Sequence, residues 1–436
     1  MAETTAVPTE AASQAARSER RPEMDVLTTL IVGGLMFFHT ASIFSGQQLV
    51  VNKAQSGLTG FLAGLVVLFE FLWIMPALMF VAGIAIWYSL RRRTASEFVR
   101  ERLLRLGVPF LTGLVLLNPP QVYYYLLQRT NGPLSFWQFY PRYWNIKFSL
   151  LSFPYFLEAA GPEQTFGVGY LWFLIYLLVY TLLLLPLFLY LRTPAGERLV
   201  ERAAGFFSRG LAIFLLAIPI ALLEAIFAAS WQSGWNRWIW PFIILYGYLF
   251  AADPRLTQAL VRHRTLALVL GLVGFLVVFL GFGMLMGMQI DAFTNPGGPA
   301  MIVRLVKGTS AWLLVVGFVG LATHLGQRGP RARPGVAAAE GAPSGTPHEA
   351  AGQPTFWARL AAYGREAQLP YYVLHQLPII VIGFYVVQWN MAPLWKLLII
   401  SLPSLALTLL VYEFVVRRTI VTRFLFGLRL RPRPDR

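Results

Sequence analysis

Charge is scarce in this sequence, and cysteine is absent from it. Only 13% of the residues are charged, about half the share usual in soluble domains. Because 57% are hydrophobic, a soluble fold would expose large apolar patches to water, and a lipid bilayer is the better solvent. The absence of cysteine excludes disulfides, thiolate catalysis and cysteine metal sites. No zinc or Walker motif is present either, so we expect no metal site.

Acidic residues are also few, with 20 against 36 basic residues and a net charge of +16. Such a charge often marks a protein that binds nucleic acid. Here the basic residues, 32 of them arginine, mostly flank apolar segments instead of forming one face. They therefore indicate the inner leaflet of a lipid bilayer as the partner, and we expect no contact with nucleic acid.

Apolar runs of roughly 20 residues, long enough to cross a bilayer core of about 30 Å, recur along the chain. They predict an all-α fold: a polytopic integral membrane protein of about ten transmembrane helices. The second run is long enough to tilt strongly or to break near Pro76, and the sixth is the shortest. The predicted spans are 26–46, 60–90, 106–127, 168–191, 210–230, 237–252, 265–289, 305–326, 368–388 and 394–416.

The distribution of basic residues gives this topology an orientation. With the N-terminus inside, the inner segments carry 28 basic residues and the outer segments 8, as the positive-inside rule requires. Both termini are therefore predicted to be cytoplasmic. We expect a disordered cytoplasmic tail (1–24), a transmembrane domain (25–418) with a disordered inner linker (327–355) and an aromatic outer loop (128–167), and a basic cytoplasmic C-terminal tail (419–436).

The outer loop 128–167 is rich in tyrosine, tryptophan and phenylalanine. Aromatic faces beside polar groups such as Arg142 and Asn145 are what stacking against sugar rings requires. An interfacial aromatic belt or a short re-entrant helix explains the same composition. The sequence leaves both interpretations open.

Ionisable residues inside the predicted spans are candidates for chemistry, because each costs several kcal/mol in a bilayer. His39 lies about thirteen residues into the first span, roughly 20 Å from its inner end, and Glu70 lies at a similar depth in the second. A histidine beside a carboxylate is suited to general-base catalysis. His375 lies in the ninth span. A membrane histidine also serves simply as a hydrogen-bonding group between packed helices.

Six arginines lie in one short inner stretch before the third span. Arg102 and Arg105 are three residues apart, so they share a helix face and could clamp a phosphate group. Ordinary inner-leaflet anchoring explains any single arginine, but six exceed that need, although Glu97 and Glu101 could neutralise part of the charge. The six are Arg91, Arg92, Arg93, Arg100, Arg102 and Arg105.

Six segments, in order from the first predicted helix to the last, form a recognisable series. They are MDVLTTLIVGGLMFFHTASIFSG (24–46), MPALMFVAGIAIWYSLRRRTASEFVRERLLRLGVPFL (75–111), NPPQVYYYLL (118–127), GYLWFLIYLL (169–178), LPYYVLHQLPIIVI (369–382) and YEFVVRRTIVTRFLFGLRL (412–430). Together they resemble the acyltransferase-3 family of integral membrane acyltransferases, in particular its OpgC/MdoC (glucan biosynthesis protein C)-like branch.

The resemblance implies an O-acyltransferase of the bacterial inner membrane. Its donor would be a cytoplasmic acyl-CoA carrying acetyl or succinyl, and its acceptor a hydroxyl of an extracytoplasmic glucan or other carbohydrate. No permanently bound cofactor is implied. His39 matches the family's catalytic histidine, while Arg102 and Arg105, with Arg93 nearby, match its site for the acyl-CoA phosphates.

The resemblance also assigns supporting positions and shows two departures. Thr28 stands where the family commonly has arginine, and Tyr170 where it commonly has histidine. The expected supporting residues are His375, Trp172 and Asp25, and the expected acceptor-side residues are Gln121 and Tyr123.

Other functions and mechanisms remain open at this point. Ten helices with a few buried ionisable groups also suit a secondary transporter or flippase of a sugar-containing substrate, although no paired half-repeats are evident. A non-catalytic scaffold would leave His39 and Arg102 unexplained. Within the acyltransferase interpretation, His39 deprotonates the acceptor hydroxyl with Glu70 orienting its ring, or it carries the acyl group itself.

Overall fold

The computed structural model describes residues 22–46, 51, 53, 55, 57–129, 134–160, 165–227, 234–328 and 356–430. Helices make up most of these residues, which confirms the all-α prediction. Most of the predicted N-terminal tail, nearly all of the inner linker and the last six residues lie outside the described ranges.

The described residues form fifteen helices, besides a few short 3₁₀ turns, and one two-stranded hairpin. The helices are α1 (Pro22–Ser45), α2 (Gly57–Leu90), α3 (Ala95–Arg129), α4 (Phe136–Tyr143), α5 (Trp172–Leu183), α6 (Leu185–Tyr190), α7 (Pro194–Phe207), α8 (Ala217–Ile226), α9 (Ile239–Ala252), α10 (Pro254–Gly287), α11 (Gly298–Arg328), α12 (Phe356–Leu374), α13 (Gln376–Val386), α14 (Pro393–Val416) and α15 (Ile420–Leu425).

Every predicted span contains helix, but fewer than ten helices have the length of a full crossing. Six in the described ranges are long and apolar enough to cross a membrane: α1, α2, α3, α10, α11 and α14. The number rises to eight if the bent pairs α7–α8 and α12–α13 each form one span. Helices α5 and α9 are apolar but short. Helix α2 runs unbroken through Pro76.

Close helix packing in this bundle depends on small residues, as lipid-embedded helices require. Helix α2 crosses α9 where Gly83 faces Gly247. A Cβ on Gly83 would collide with the Ile244 carbonyl, and one on Gly247 with the Phe80 carbonyl. The two backbones therefore approach more closely than larger residues would permit.

The two ends of the bundle differ in structure. The arginine end holds Arg93, Arg102 and Arg105 around the start of α3. At the opposite end, which we call the hairpin end, the predicted aromatic loop folds into α4 and an antiparallel hairpin, β1 (Ile146–Phe148) paired with β2 (Leu157–Ala159). Arg237 Nη1 ties this hairpin to the bundle by donating to the carbonyls of Leu151 at 2.6 Å and Phe153 at 2.8 Å.

Three of the eight basic residues counted with the outer segments are buried in helices. Arg304 is 1% exposed, Lys307 0% and Lys396 7%. Helix α11 begins at Gly298, not at the predicted residue 305, so Arg304 lies within it together with Lys307. Burial is possible because Lys307 Nζ lies 2.7 Å from Glu224 Oε2 of α8, while Arg304 donates to backbone carbonyls, including that of Glu224 at 2.9 Å.

Candidate active site

A helix break places His375 at the centre of the bundle. Helices α12 and α13 meet there at an angle of 49°. Pro378 causes the break, because it has no N–H to donate to the carbonyl of Leu374 and its ring clashes with that carbonyl. His375 therefore lies at the interruption and is fully buried.

The structure brings the two predicted histidines of the spans together. The ring centroids of His39, on α1, and His375 are 5.2 Å apart, with an angle of 44° between the ring planes. His39 also makes an edge contact with Phe38. The sequence singled out both histidines, but it did not predict this contact.

The orientation of the His375 ring is fixed on several sides. Its Nδ1 lies 2.7 Å from the carbonyl oxygen of Tyr372. Since a carbonyl only accepts, Nδ1 carries the proton and Nε2 keeps the lone pair. Tyr371 stacks on the ring at 5.7 Å, and Tyr170 meets it edge-on at 5.7 Å. Nε2 is buried and has no hydrogen-bond partner among the described residues.

Tyr170 supports the helix break from α5's side of the bundle. Its hydroxyl donates to the Val373 carbonyl, and the Tyr372 hydroxyl donates back to the Tyr170 carbonyl. Gln121, predicted on the acceptor side, is 2% exposed and interacts with the Tyr170 hydroxyl. Tyr170 stands where the family commonly has histidine. Through these two hydrogen bonds it supports the segment that carries His375.

Polar contacts also join α1 to α12 at the arginine end. Asp25 Oδ2 lies 3.3 Å from Arg365 Nε, and Gln368 Nε2 donates to the Thr28 hydroxyl at 2.7 Å. The threonine that stands in place of the family's arginine therefore has a glutamine partner. The sequence analysis missed Arg365 and Gln368, although Gln368 lies seven residues before His375, two helical turns along one face.

Residue counts along α1 and α2 indicate different heights for Glu70 and His39. A backbone bond from Gln55 to Phe44 ties the start of α2 to the end of α1. Glu70 follows the first residue of α2 by thirteen positions, whereas His39 precedes the last residue of α1 by six. The two side chains thus differ in height by about 10 Å. Glu70 Oε2 is buried without a hydrogen-bond partner in the described part of the chain.

The arginines of the cluster differ in how closely Glu101 engages them. Glu101 bridges Arg93 at 3.2 Å and Arg105 at 3.4 Å. Arg102 lies over the Phe98 ring at 4.9 Å, and its Nε is buried with no partner among the described residues. Glu97 instead caps α3 through Thr94. A π-helical turn over Leu103–Gly107 follows Arg102. Arg105 lies in this turn and is half exposed, so its surroundings differ from those of Arg102.

Two further predicted residues lie farther from the histidine pair. Trp172 is 8% exposed and contacts Tyr176 at 5.3 Å and Trp240 at 5.5 Å. Tyr123 lies toward the hairpin end, where its hydroxyl donates to the Leu134 carbonyl at 2.9 Å. In the described ranges, no group of three or more His, Asp or Glu side chains is placed to hold a metal ion.

Comparison with known proteins identifies one family. Residues 21–413, nearly the whole chain, match the acyltransferase-3 family, described as an acyltransferase domain. No curated protein and no solved structure matches the chain.

Proposed function

Because the chain belongs to the acyltransferase-3 family, we propose that it transfers acetyl or succinyl from acyl-CoA to a hydroxyl of a carbohydrate acceptor, a glucan in the OpgC/MdoC-like branch. The family supports membrane acyltransferase activity, and the helices support a multi-pass membrane protein. The donor, the acceptor and a bacterial inner membrane with cytoplasmic termini are part of the proposal.

One observation carries the assignment of the site: His39 meets His375 in the interior of the bundle, at a helix break. Ionisable side chains buried at such depth are costly and are kept for function or for packing. The Nε2 of His375, which has no hydrogen-bond partner among the described residues, supports a functional role together with the contact to His39, because an unpaired buried acceptor costs about 1–3 kcal/mol.

In the proposed reaction, His39 removes the proton from the acceptor hydroxyl while the oxygen attacks the thioester carbonyl. The bond between the carbonyl carbon and sulfur breaks, and the proton passes from His39 to the CoA thiolate. An ester and free CoA result, with no net change in the protein. Transfer through a transient acyl-histidine at His39 remains the competing mechanism. The orienting role predicted for Glu70 is not needed for this scheme and stays a prediction.

The arginine end is the proposed entrance for the donor. The cationic groups for the CoA phosphates come from Arg93, Arg102 and Arg105. The buried Nε of Arg102 has no partner among the described residues. His39 lies seventeen residues beyond Pro22 on α1, a rise of about 25 Å. An extended pantetheine arm, about 15–20 Å long by its bond lengths, covers most of that distance. The acceptor would enter from the hairpin end, past Gln121 and Tyr123.

The test measures CoA release by protein in lipid nanodiscs supplied with acetyl-CoA or succinyl-CoA and glucan. The chain has no cysteine, so a thiol reagent reports only the CoA produced. We expect acceptor-dependent release that His39→Ala lowers by about 10²–10⁴-fold, the usual contribution of a general base. His263→Ala on α10 is the matched control and should keep full activity. Absence of both CoA binding and CoA release would favour the transporter interpretation.

A further inference from the structure

One buried group in the site has no role in the reaction as written above. His375 Nε2 is an acceptor, because Nδ1 carries the proton that is donated to the Tyr372 carbonyl. It is buried and unpartnered among the described residues. A second acceptor, Oε1 of the neighbouring Gln376, is also buried without a partner there. A neighbouring ring or a bound substrate can supply donors for these atoms.

The neighbouring ring is that of His39. The two centroids are 5.2 Å apart. Since each ring nitrogen lies about 1.1 Å from its own centroid, a rotation of the rings that turns one nitrogen of each toward the other would bring these nitrogens within about 3 Å, the length of a hydrogen bond. Catalytic hydrogen bonds of this kind are often loose before substrate binds and tighten in the complex. A carboxylate would usually orient the base, but Glu70 lies at another height.

We propose that His375 is the positioning residue for His39, its Nε2 accepting the N–H of the His39 ring. This inference rests on the proposed function. A relay then runs from the Tyr372 carbonyl through His375 to His39, and the second nitrogen of His39 keeps its lone pair for the acceptor hydroxyl. When His39 takes the hydroxyl proton, its N–H becomes part of an imidazolium, and the hydrogen bond to His375 strengthens.

The relay needs only an acceptor atom at the position of Nε2, whereas a packing role needs only the shape of the ring. Substitutions that keep one property and remove the other therefore distinguish the two roles. Glutamine can place its carbonyl oxygen where Nε2 lies, whereas asparagine is too short and phenylalanine keeps the ring shape without any acceptor. If His375 only fills space against Tyr371 and Tyr170, phenylalanine should replace it best. If it orients His39, glutamine should.

The experiment compares His375→Gln, His375→Asn and His375→Phe in nanodiscs, with kcat and the KM for acyl-CoA measured separately. We expect His375→Phe and His375→Asn to lower kcat by about a hundredfold, in the usual range for losing a base's orientation, with KM for acyl-CoA little changed. His375→Gln should recover about a tenth of wild-type kcat or more. Should His375→Phe fail to fold, the contrast between Gln and Asn answers the same question.

His263 provides the matched control. Its Nε2 is also buried without a partner in the described part of the chain, and its ring packs against Phe214 at 5.7 Å. His263→Phe should leave kcat unchanged, because no second imidazole accompanies this ring among the described contacts. A loss equal to that of His375→Phe would show that removing any buried imidazole harms the protein, and would overturn the inference.

A second readout does not depend on turnover. Diethyl pyrocarbonate acylates the lone-pair nitrogen of imidazole, and mass spectrometry measures its rate at His39. We expect slower labelling of His39 in His375→Phe and recovery in His375→Gln. Equal labelling rates, or equal kcat for the Gln and Phe variants, would overturn the relay. If wild-type protein releases no CoA, the proposed function fails instead, while the labelling still reports on the histidine pair.

Discussion

The ion pair of Glu224 and Lys307 and the pair of His39 and His375 both bury polar side chains among apolar helices, but their bonding differs. Lys307 Nζ lies 2.7 Å from Glu224 Oε2 and donates to the Gly234 carbonyl at 3.0 Å. Glu224 Oε1 accepts from the Asn236 N–H at 2.7 Å. Glu224 Oε2 has no hydrogen bond in the described structure beyond this ion contact with Lys307, whereas His375 Nε2 has neither a hydrogen bond nor an ion pair there.

The difference separates a structural role from a chemical one. A buried charge is tolerated only when partners replace the water that it has lost, and the ion pair meets that requirement. It joins α8, the segment before α9 and α11 into one unit. The histidine site keeps an unpaired acceptor, which a bound substrate or a rearranged ring can use. Substitutions in the ion pair should therefore lower the stability of the protein, and substitutions in the histidine pair should lower its activity.

The largest expected effect on stability comes from Lys307→Met. It leaves Glu224 buried without its cation, which costs about 3–5 kcal/mol. Thermal unfolding in detergent should show a clear fall in the melting temperature, while activity per folded molecule is retained. The double variant Glu224→Gln with Lys307→Met should recover part of the loss, because no charge is left unpaired. A melting temperature equal to that of the wild type would contradict the structural role.

The next largest expected effect is on the KM for acyl-CoA and compares two arginines at the arginine end. Arg102→Ala should raise the KM for acyl-CoA by about 10- to 100-fold, the equivalent of one charge-assisted hydrogen bond. Arg105→Ala should do less, since Glu101 already engages that side chain. CoA binding by calorimetry gives an independent measure. Equal losses in the two variants would show that Arg105 is as available to phosphate as Arg102.

Tyr170→Phe tests the hydrogen bond from Tyr170 that supports the segment carrying His375. It leaves the buried Val373 carbonyl without its donor, at a cost of about 1–3 kcal/mol. We expect a moderately lower melting temperature together with lower kcat, because the segment carrying His375 loses a support. Tyr385→Phe, at a side chain that is 55% exposed, is the control. Lower stability with unchanged kcat would place Tyr170 in the structural class with Lys307.

The smallest effect concerns the hairpin. A hydrogen bond from Ser152, at 2.6 Å, holds the pKa of the Glu158 carboxyl below its usual range. A lowered pKa means that the contact stabilises the hairpin above the ordinary Glu value of about 4.3 and is lost as pH falls through the lowered value.

Tryptophan emission should report this loss, since Trp238 stacks on Phe153 of the hairpin segment at 5.3 Å. We expect a small, reversible change below about pH 4. The variant Glu158→Gln should lack the transition, and a transition that persists in it would assign the change to another group.

Hydropathy located the helices because a chain in lipid must satisfy its backbone within continuous apolar helices. It misplaced the start of α11, since Arg304 interrupts the apolar run and its partners lie on other elements. His39 and His375 were identifiable as ionisable groups in apolar runs. Their contact was not, because local patterns carry no information on which helices become neighbours.

The contacts between α1 and α12 connect the beginning of the chain with its end, since Thr28 and Gln368 are 340 residues apart in sequence. Contacts of such long range form late, and helices of a growing chain emerge from the ribosome in order. The histidine pair therefore cannot assemble before His375, which follows the last residue of α12, has been synthesised. During biosynthesis, a nascent chain whose first helices have already entered the membrane therefore still lacks the histidine pair.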